Sequence, residues 1–263
     1  MKRIHAFEFE DFSWFPNLLR VPMTRCLILF HRLVGTREVF SELVAKALRH
    51  TGQKEVVDLC SGSGGVMPEV LEHLQQQPEF ADVKLTLTDL YPNPRAAKDF
   101  NADATNGITY EEQSVDATQV GAARQGVRTM VASFHHMRPE LGQKILADAQ
   151  RSGQAYCMIE PGDNKAPTFL AVLAFPFAFL SCFFIAPFVR PFTWQQLVFT
   201  YLIPLVPLFY AWDGMISGMR IYSAKDLETI IAKLPPTDDY TWESGGIKGK
   251  VPMSYILGLP KKG

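Results

Sequence analysis

The 263-residue chain has no Cys-x-x-Cys pair, no excess of either charge and no unbroken apolar run at its amino terminus. Its four cysteines (Cys26, Cys60, Cys157, Cys182) are far apart and have no histidine cluster beside them. That pattern points to a reducing compartment and away from a structural zinc. Lys plus Arg (26) nearly balances Asp plus Glu (27), so no global field argues for nucleic acid as a partner. The early basic pair is followed by Glu8, Glu10 and Asp11, where an export signal needs an apolar core, so the segment is not read as one. What the chain does have is apolar bulk: 47% hydrophobic residues, with 19 Phe, which is rich for a domain of this size. The length suits one α/β domain with a substantial insertion.

Phe7, Phe9, Phe12, Trp14 and Phe15 punctuate an acidic segment that ends at Pro16. So dense an aromatic set must lie on something apolar: the domain's own core, a substrate cleft or a membrane surface. From Pro22 to Arg49 the apolar periodicity predicts one or two amphipathic helices broken near Gly35, with Thr36 as N-cap. Residues 1–50 thus read as a lid or helical segment ahead of the main domain, 51–263.

That domain is organised around Glu55–Gly65, EVVDLCSGSGG. Val56, Val57 and Leu59 predict a buried strand, and Val66, Val70, Leu71 and Leu74 recur at helical spacing beyond the turn. Glycines at 62, 64 and 65 allow a sharp turn and let a ligand approach the backbone, with the first free N–H groups of the helix facing it. A dinucleotide fingerprint needs a third glycine where Met67 stands. The stretch instead resembles motif I of the class I S-adenosylmethionine (SAM) dependent methyltransferases, an acid ending a strand and then G-x-G. The resemblance implies that Asp58 receives the methionine end of SAM, directly or through water. It also implies that Gly62 and Gly64 pass under the cofactor, with Cys60 and Ser63 in the same turn.

Alternation in VKLTLTDLYP predicts strand two, ending on Asp89. A carboxylate at that tip can accept from both hydroxyls of a ribose, with Leu90 or Tyr91 on the adenine face. Strand three is predicted over Ile108–Gln113, and by the resemblance Asp116, beside Ala117 and Thr118, accepts from the adenine amino group. Strand four, Val127–Ser133, places Ser133 with the cofactor set and leads into Phe134-His135-His136-Met137. Neighbouring histidines in regular structure cannot both point at one ion and no third ligand is near in sequence, so no metal is expected. His135 or His136 is a candidate base for the acceptor's proton, or the pair simply forms a turn. Glu160, at the end of strand five (Ala155–Gly162), is a second candidate for acceptor contact.

Ala166–Val189 is 24 residues without a charge, and a second apolar run follows at Leu197–Trp212. Prolines at 176, 187, 191, 204 and 207 interrupt both. Three readings of the insertion, 166–212, stay open: an interfacial or re-entrant hairpin, two spans returning to the same side, or an apolar cap buried in the domain or a dimer contact. All keep the remaining domain on one side, here the cytoplasmic side. Asp213-Gly214 and Arg220-Ile221-Tyr222 resemble a stretch after strand five in class I small-molecule methyltransferases. Ser223 and Asp226 predict a capped helix start, and Tyr240–Trp242 with Met253–Leu259 predicts a closing hairpin.

The expected fold is therefore α/β: a class I methyltransferase seven-stranded sheet, mostly parallel with an antiparallel carboxyl-terminal strand, helices on both faces and an apolar insertion after strand five. The expected function is methyl transfer from SAM to an apolar small-molecule or lipid-like acceptor at the membrane surface. The alternatives are a protein or peptide methyltransferase and a catalytically silent SAM-binding membrane module. The tetrapeptide [DN]-P-P-[YFW] of amino-group methylation is absent at strand four, where SFHH stands. That lowers nucleic-acid and amide acceptors.

Overall fold

The computed structural model describes residues 3–12, 14–122, 124–164 and 168–261. Ala166 and Pro167, the expected start of the insertion, lie outside the described residues. Seven strands are present: β1 (Glu55–Asp58), β2 (Lys84–Leu87), β3 (Ile108–Tyr110), β4 (Val127–Val131), β5 (Tyr156–Pro161), β6 (Tyr240–Ile247) and β7 (Met253–Pro260). They form one sheet in the order β3-β2-β1-β4-β5-β7-β6. β1 to β5 pair in parallel, β7 is antiparallel to both β5 and β6, and so it alone runs against the rest. This is the sheet the resemblance implies.

The helices are α1 (Asn17–Val34), α2 (Thr36–Thr51), α3 (Met67–Gln75), α4 (Pro94–Asn101), α5 (Pro139–Arg151), α6 (Thr168–Ile185), α7 (Trp194–Leu197), α8 (Leu205–Arg220) and α9 (Ala224–Ile231). Side chains of a strand alternate between faces, and that alternation divides the core in two. Val56, Leu85, Cys157 and Ile159 pack under α2, α3 and α4, while Val57, Met130, Tyr156 and Met158 pack under α5 and α9. Helices thus cover both faces. Buried on the second side is Arg128, in mid-strand, whose guanidinium donates to Asp148 at 2.7 Å.

Several boundaries differ from the sequence expectation, each for a local reason. β3 stops at Tyr110 rather than Gln113 because its partner β2 ends at Leu87, paired with Tyr110. For the same strand, Asp89 lies two residues beyond the end of β2. β4 ends before Ser133 because Ala132 takes a left-handed conformation (φ 48°). β6 runs on through Gly245 and Gly246, and the Tyr255 ring lies 3.1 Å from where a Cβ at 245 would stand. Thr36 is not the cap of α2. Gly35 (φ 79°) both closes α1 and opens α2, so the Thr36 hydroxyl turns inward to His31 Nδ1 at 3.0 Å. The capped start at Ser223 is as expected, a reciprocal pair with Asp226.

The amino-terminal aromatics lie on the insertion and not on the sheet. Phe9 and Phe15 stack around Phe209 of α8 with ring centroids 4.4 and 5.3 Å away, and Phe7 meets Trp212 at 5.3 Å. Phe15, Leu19, Met23, Cys26, Cys182 and Val206 form a third apolar cluster there. The second apolar run is not a straight span, since Trp194–Leu202 and Leu205–Arg220 meet at 81°, with Pro204 at the joint. Nor is α6 a cap buried within one chain: it packs on α8, yet only 11% of its apolar window is buried. Phe177 (76% exposed) and Phe184 (75%) point outward.

Candidate active site

The turn after β1 is left-handed at Cys60 (φ 59°), Gly62 (55°), Gly64 (99°) and Gly65 (51°). A Cβ at Gly64 would lie 2.7 Å from the Phe100 ring, whereas at Gly62 and Gly65 nothing lies within 4 Å. Gly64 is thus required by the chain's own packing, and the open backbone at Gly62 is where a ligand can approach. Asp58, only 3% exposed, accepts from Ser61 Oγ (2.6 Å) and Thr129 Oγ1 (2.7 Å) and so braces the turn against β4. Burial, only partly offset by those hydroxyls, pushes its carboxyl up to about 7.

Hydrogen bonds tie the neighbouring strand ends to this turn. Asp89 accepts from Gly62 N–H and Tyr91 N–H, both at 2.8 Å, and its carbonyl accepts from Val115 N–H at 2.9 Å. Asn93 donates to Ser63 Oγ at 3.0 Å, and Ser114 donates to the Leu90 carbonyl at 2.6 Å. Asp116 is exposed and accepts from Thr118 through one oxygen, with Ala117 buried beside it. Asp58, Cys60, Gly62, Ser63, Gly64, Asp89, Leu90, Asp116 and Ala117 therefore stand on adjoining loops at the carboxyl ends of β1 to β3. Ser133 follows β4, and its buried Oγ has no hydrogen-bond partner among the described residues.

His135, His136 and Glu160 come together beyond β4 and β5. Glu160, fully buried, accepts from the backbone N–H of His135 (2.9 Å) and from its Nδ1 (2.8 Å). The other ring nitrogen, Nε2, faces Glu8 Oε1 at 3.7 Å, an ion-pair rather than a hydrogen-bond distance. Burial opposes a charged imidazole, but the Glu160 and Glu8 carboxylates together raise His135 to about 10. It is a cation at neutral pH and cannot take a proton there. His136, half-buried, places Nδ1 2.8 Å from Asp11 Oδ1. Asp11 is partly buried, but hydrogen bonds from His136 and Arg220 hold its carboxyl far below the usual range. Arg220 Nη1 lies 3.2 Å from the same His136 Nδ1, and His136 Nε2 faces Glu8 Oε2 at 3.8 Å.

The two histidines do face one point, and a third donor is near them, contrary to the sequence expectation. Phe134–His136 is a single 3-10 turn, the two rings lie 4.2 Å apart, and the amino-terminal segment supplies Glu8, bringing three donor atoms within 4.8 Å of one another. A different cation already serves them: Arg220 donates to Glu8 at 2.9 Å and to Asp11 at 2.5 Å. Asp213 in turn accepts from the backbone N–H groups of Phe9 and Glu10, and burial raises it to about 7. Arg3 donates to the carbonyls of Arg220 and His135. Glu8 and Asp11 belong to no motif, and Arg220 belongs only to the stretch resembling one after strand five. The available signal was physical: a carboxylate set among five aromatics is buried with them, and a buried carboxylate needs a cationic partner.

No family model matches the sequence, and no curated protein matches it. Among solved structures, the methyltransferase domain of a bacterial CtHen1 aligns over 86% of this chain and 99% of its own, at 13% identity and a TM-score of 0.48. Human N-acetylserotonin methyltransferase, solved with SAM, aligns over 89% of this chain at 12% identity and a TM-score of 0.48. The O-methyltransferase NcsB1 from neocarzinostatin biosynthesis, solved with SAM and a naphthoic acid, aligns over 86% at 13% identity and a TM-score of 0.46. The chain spans little more than half of the latter two (56% and 57%). At these scores the likenesses add nothing to the strand order, which speaks for itself: five parallel strands closed by an antiparallel β7 between β5 and β6 give this chain the class I methyltransferase fold.

Proposed function

We propose that the chain is a SAM-dependent methyltransferase acting on an apolar small-molecule or lipid-like acceptor at a membrane surface. The observation that carries this reading is that Asp58, the open Gly62 backbone, Asp89 and Asp116 stand on adjoining loops at the carboxyl ends of β1 to β3. These loops suit the cofactor. The turn is free of side chains where a ligand would lie, each Asp89 oxygen has lone-pair capacity left beyond its backbone bond, and Ser133 Oγ is buried and unpartnered. Asp89 would hold the ribose hydroxyls, Asp116 the adenine amino group and Leu90 the adenine face, with Asp58 behind the turn at the methionine end. When bound, SAM supplies a methyl group already activated on its sulfonium. The protein's task is then to align the acceptor at roughly 3–3.5 Å and to exclude water.

Calorimetry should register SAM or S-adenosylhomocysteine binding to the wild type. Asp89→Ala should weaken it by roughly 1.5–3 kcal/mol, the worth of a charge-assisted hydrogen bond. Gly64→Val should abolish it by driving a side chain into Phe100 at a left-handed position. Binding of NAD in place of SAM would sink the assignment.

His136 is the better candidate base of the two histidines, because Asp11 orients its ring and it is half-buried where His135 is enclosed. His136→Ala should lower turnover by on the order of 10²–10⁴ with cofactor affinity kept. Unchanged turnover would leave alignment alone as the source of rate. The native acceptor is to be sought by lipid and metabolite profiling of a deletion strain, as pairs of species differing by one methylene mass.

The membrane part of the reading is supported by α6, whose outward face carries Leu173, Phe177, Phe184 and Phe188 in the open. A bilayer leaflet would cover that face and deliver an apolar acceptor sideways.

A further inference from the structure

A cavity of about 260 Å³ opens where α1, the start of α4 and α7 meet, and Arg25, Arg95, Asn93, Thr193 and Gln195 are among its lining residues. None of its nine lining residues is acidic. Two guanidinium groups from positions seventy residues apart in the chain thus share one small space, and neither forms an ion pair among the described residues. Arg25 donates only to the Pro191 carbonyl, at 3.2 Å. Burial first, and the Arg95 charge second, lower the Arg25 pKa, as expected for like charges facing each other without a counter-ion. The space is smaller than the pockets of about 300–1,000 Å³ that enclose a whole drug-sized ligand. Leu18, Val21 and Pro22 add apolar lining, Leu18 being 41% exposed, and the sequence neighbours of Thr193 and Gln195 in the insertion, Phe192 (42%) and Trp194 (62%), are exposed.

We propose that this cavity is an oxyanion site that takes the phosphate head group of an amphiphile, with the tail lying on the exposed apolar residues outside. Two guanidinium forks suit a phosphate's geometry and charge, and Thr193 and Gln195 add neutral donors. The place of the tail rests on the membrane-facing reading of α6; the head-group site does not.

The test uses the full-length protein and its flotation with vesicles of phosphatidylcholine alone or of phosphatidylcholine with phosphatidic acid. The anionic lipid should strengthen binding. The double variant Arg25→Gln/Arg95→Gln should lose roughly 20- to 30-fold of that gain, at about fivefold for each basic side chain near an anionic surface. Its binding to neutral vesicles and its calorimetric affinity for SAM should stay as in the wild type. That separates failure of this site from failure of the methyltransferase reading. A control with the same charge change on the opposite face of the sheet, Lys225→Gln/Lys233→Gln, should keep the gain. Inorganic phosphate, titrated into the protein in neutral detergent, should bind weakly and in an arginine-dependent way. Equal losses in the two double variants would overturn the proposal, as would no preference for phosphatidic acid. Arginine-dependent phosphate binding without any vesicle preference would also overturn it and assign the site to a soluble phosphate.

Discussion

Replacing His135 by Ala should cost on the order of 3–5 kcal/mol, the usual penalty for removing one partner of a buried charge cluster. For a domain whose whole stability is about 5–15 kcal/mol, that means a fall in melting temperature of roughly 10–15 °C. The cause is electrostatic. Glu160 and Glu8 are both buried, and the imidazolium between them balances Glu160 and shares Glu8 with Arg220. The pH dependence carries a definite sign, because the folded pKa, about 10, lies above the ordinary 6.5. The stabilisation is fully present below about 6.5 and is lost as pH rises through 10. Melting curves should therefore show the wild type losing stability from neutral pH towards 10, a slope that His135→Ala lacks. An unchanged melting temperature in the variant would show that the cluster is not charged as described.

The second large effect concerns α6. The variant Leu173→Gln/Phe177→Gln/Phe184→Gln/Phe188→Gln should move the protein from the membrane fraction to the supernatant. At roughly 2 kcal/mol for each large apolar side chain, the partition coefficient should fall by on the order of 10⁶. Substitution is a cleaner test than excising the insertion, because removing α8 would strip Phe209 from Phe9 and Phe15 and expose the amino-terminal segment. SAM affinity should be unchanged, since none of the four residues lies near the turn after β1. Recovery of the wild type without detergent as a monodisperse monomer would sink the membrane reading. A detergent-free dimer would assign the face to a second copy.

The sheet was legible because its signals are local: alternating apolar residues in Val83–Leu87, a run of small residues after Asp58, and acids just past the strands. The loops expected to hold the cofactor could be placed for the same reason, since Gly62, Asp89 and Asp116 each lie within a few residues of a strand end. Their mutual hydrogen bonds were not, because no sequence spacing reports that Gly62 N–H meets a carboxylate 27 residues away. The roles of the two histidines could not be separated either. Identical residues at adjacent positions differ here in burial and in the nearest carboxylate, Glu160 for one and Asp11 for the other, while both face Glu8. The insertion was visible by composition but ambiguous in geometry, because hydropathy registers an apolar run and not the 81° bend within it.

The amino-terminal segment carries a consequence for the order of folding. Phe9 N–H is held by Asp213, 204 residues downstream, and Glu8 by Arg220, 212 residues downstream. These residues thus lack those two partners until more than 200 further residues have been made. Contacts of such sequence separation close late, because the loop entropy must be met first. The parallel strands β1 to β5 precede Asp213 in the chain and can pair while the ten-residue strap is still loose. The His135–Glu160 pair is therefore formed before it is covered, and a nascent chain passes through a stage in which the carboxyl ends of β4 and β5 stand open to whatever surface the amino-terminal aromatics have already found.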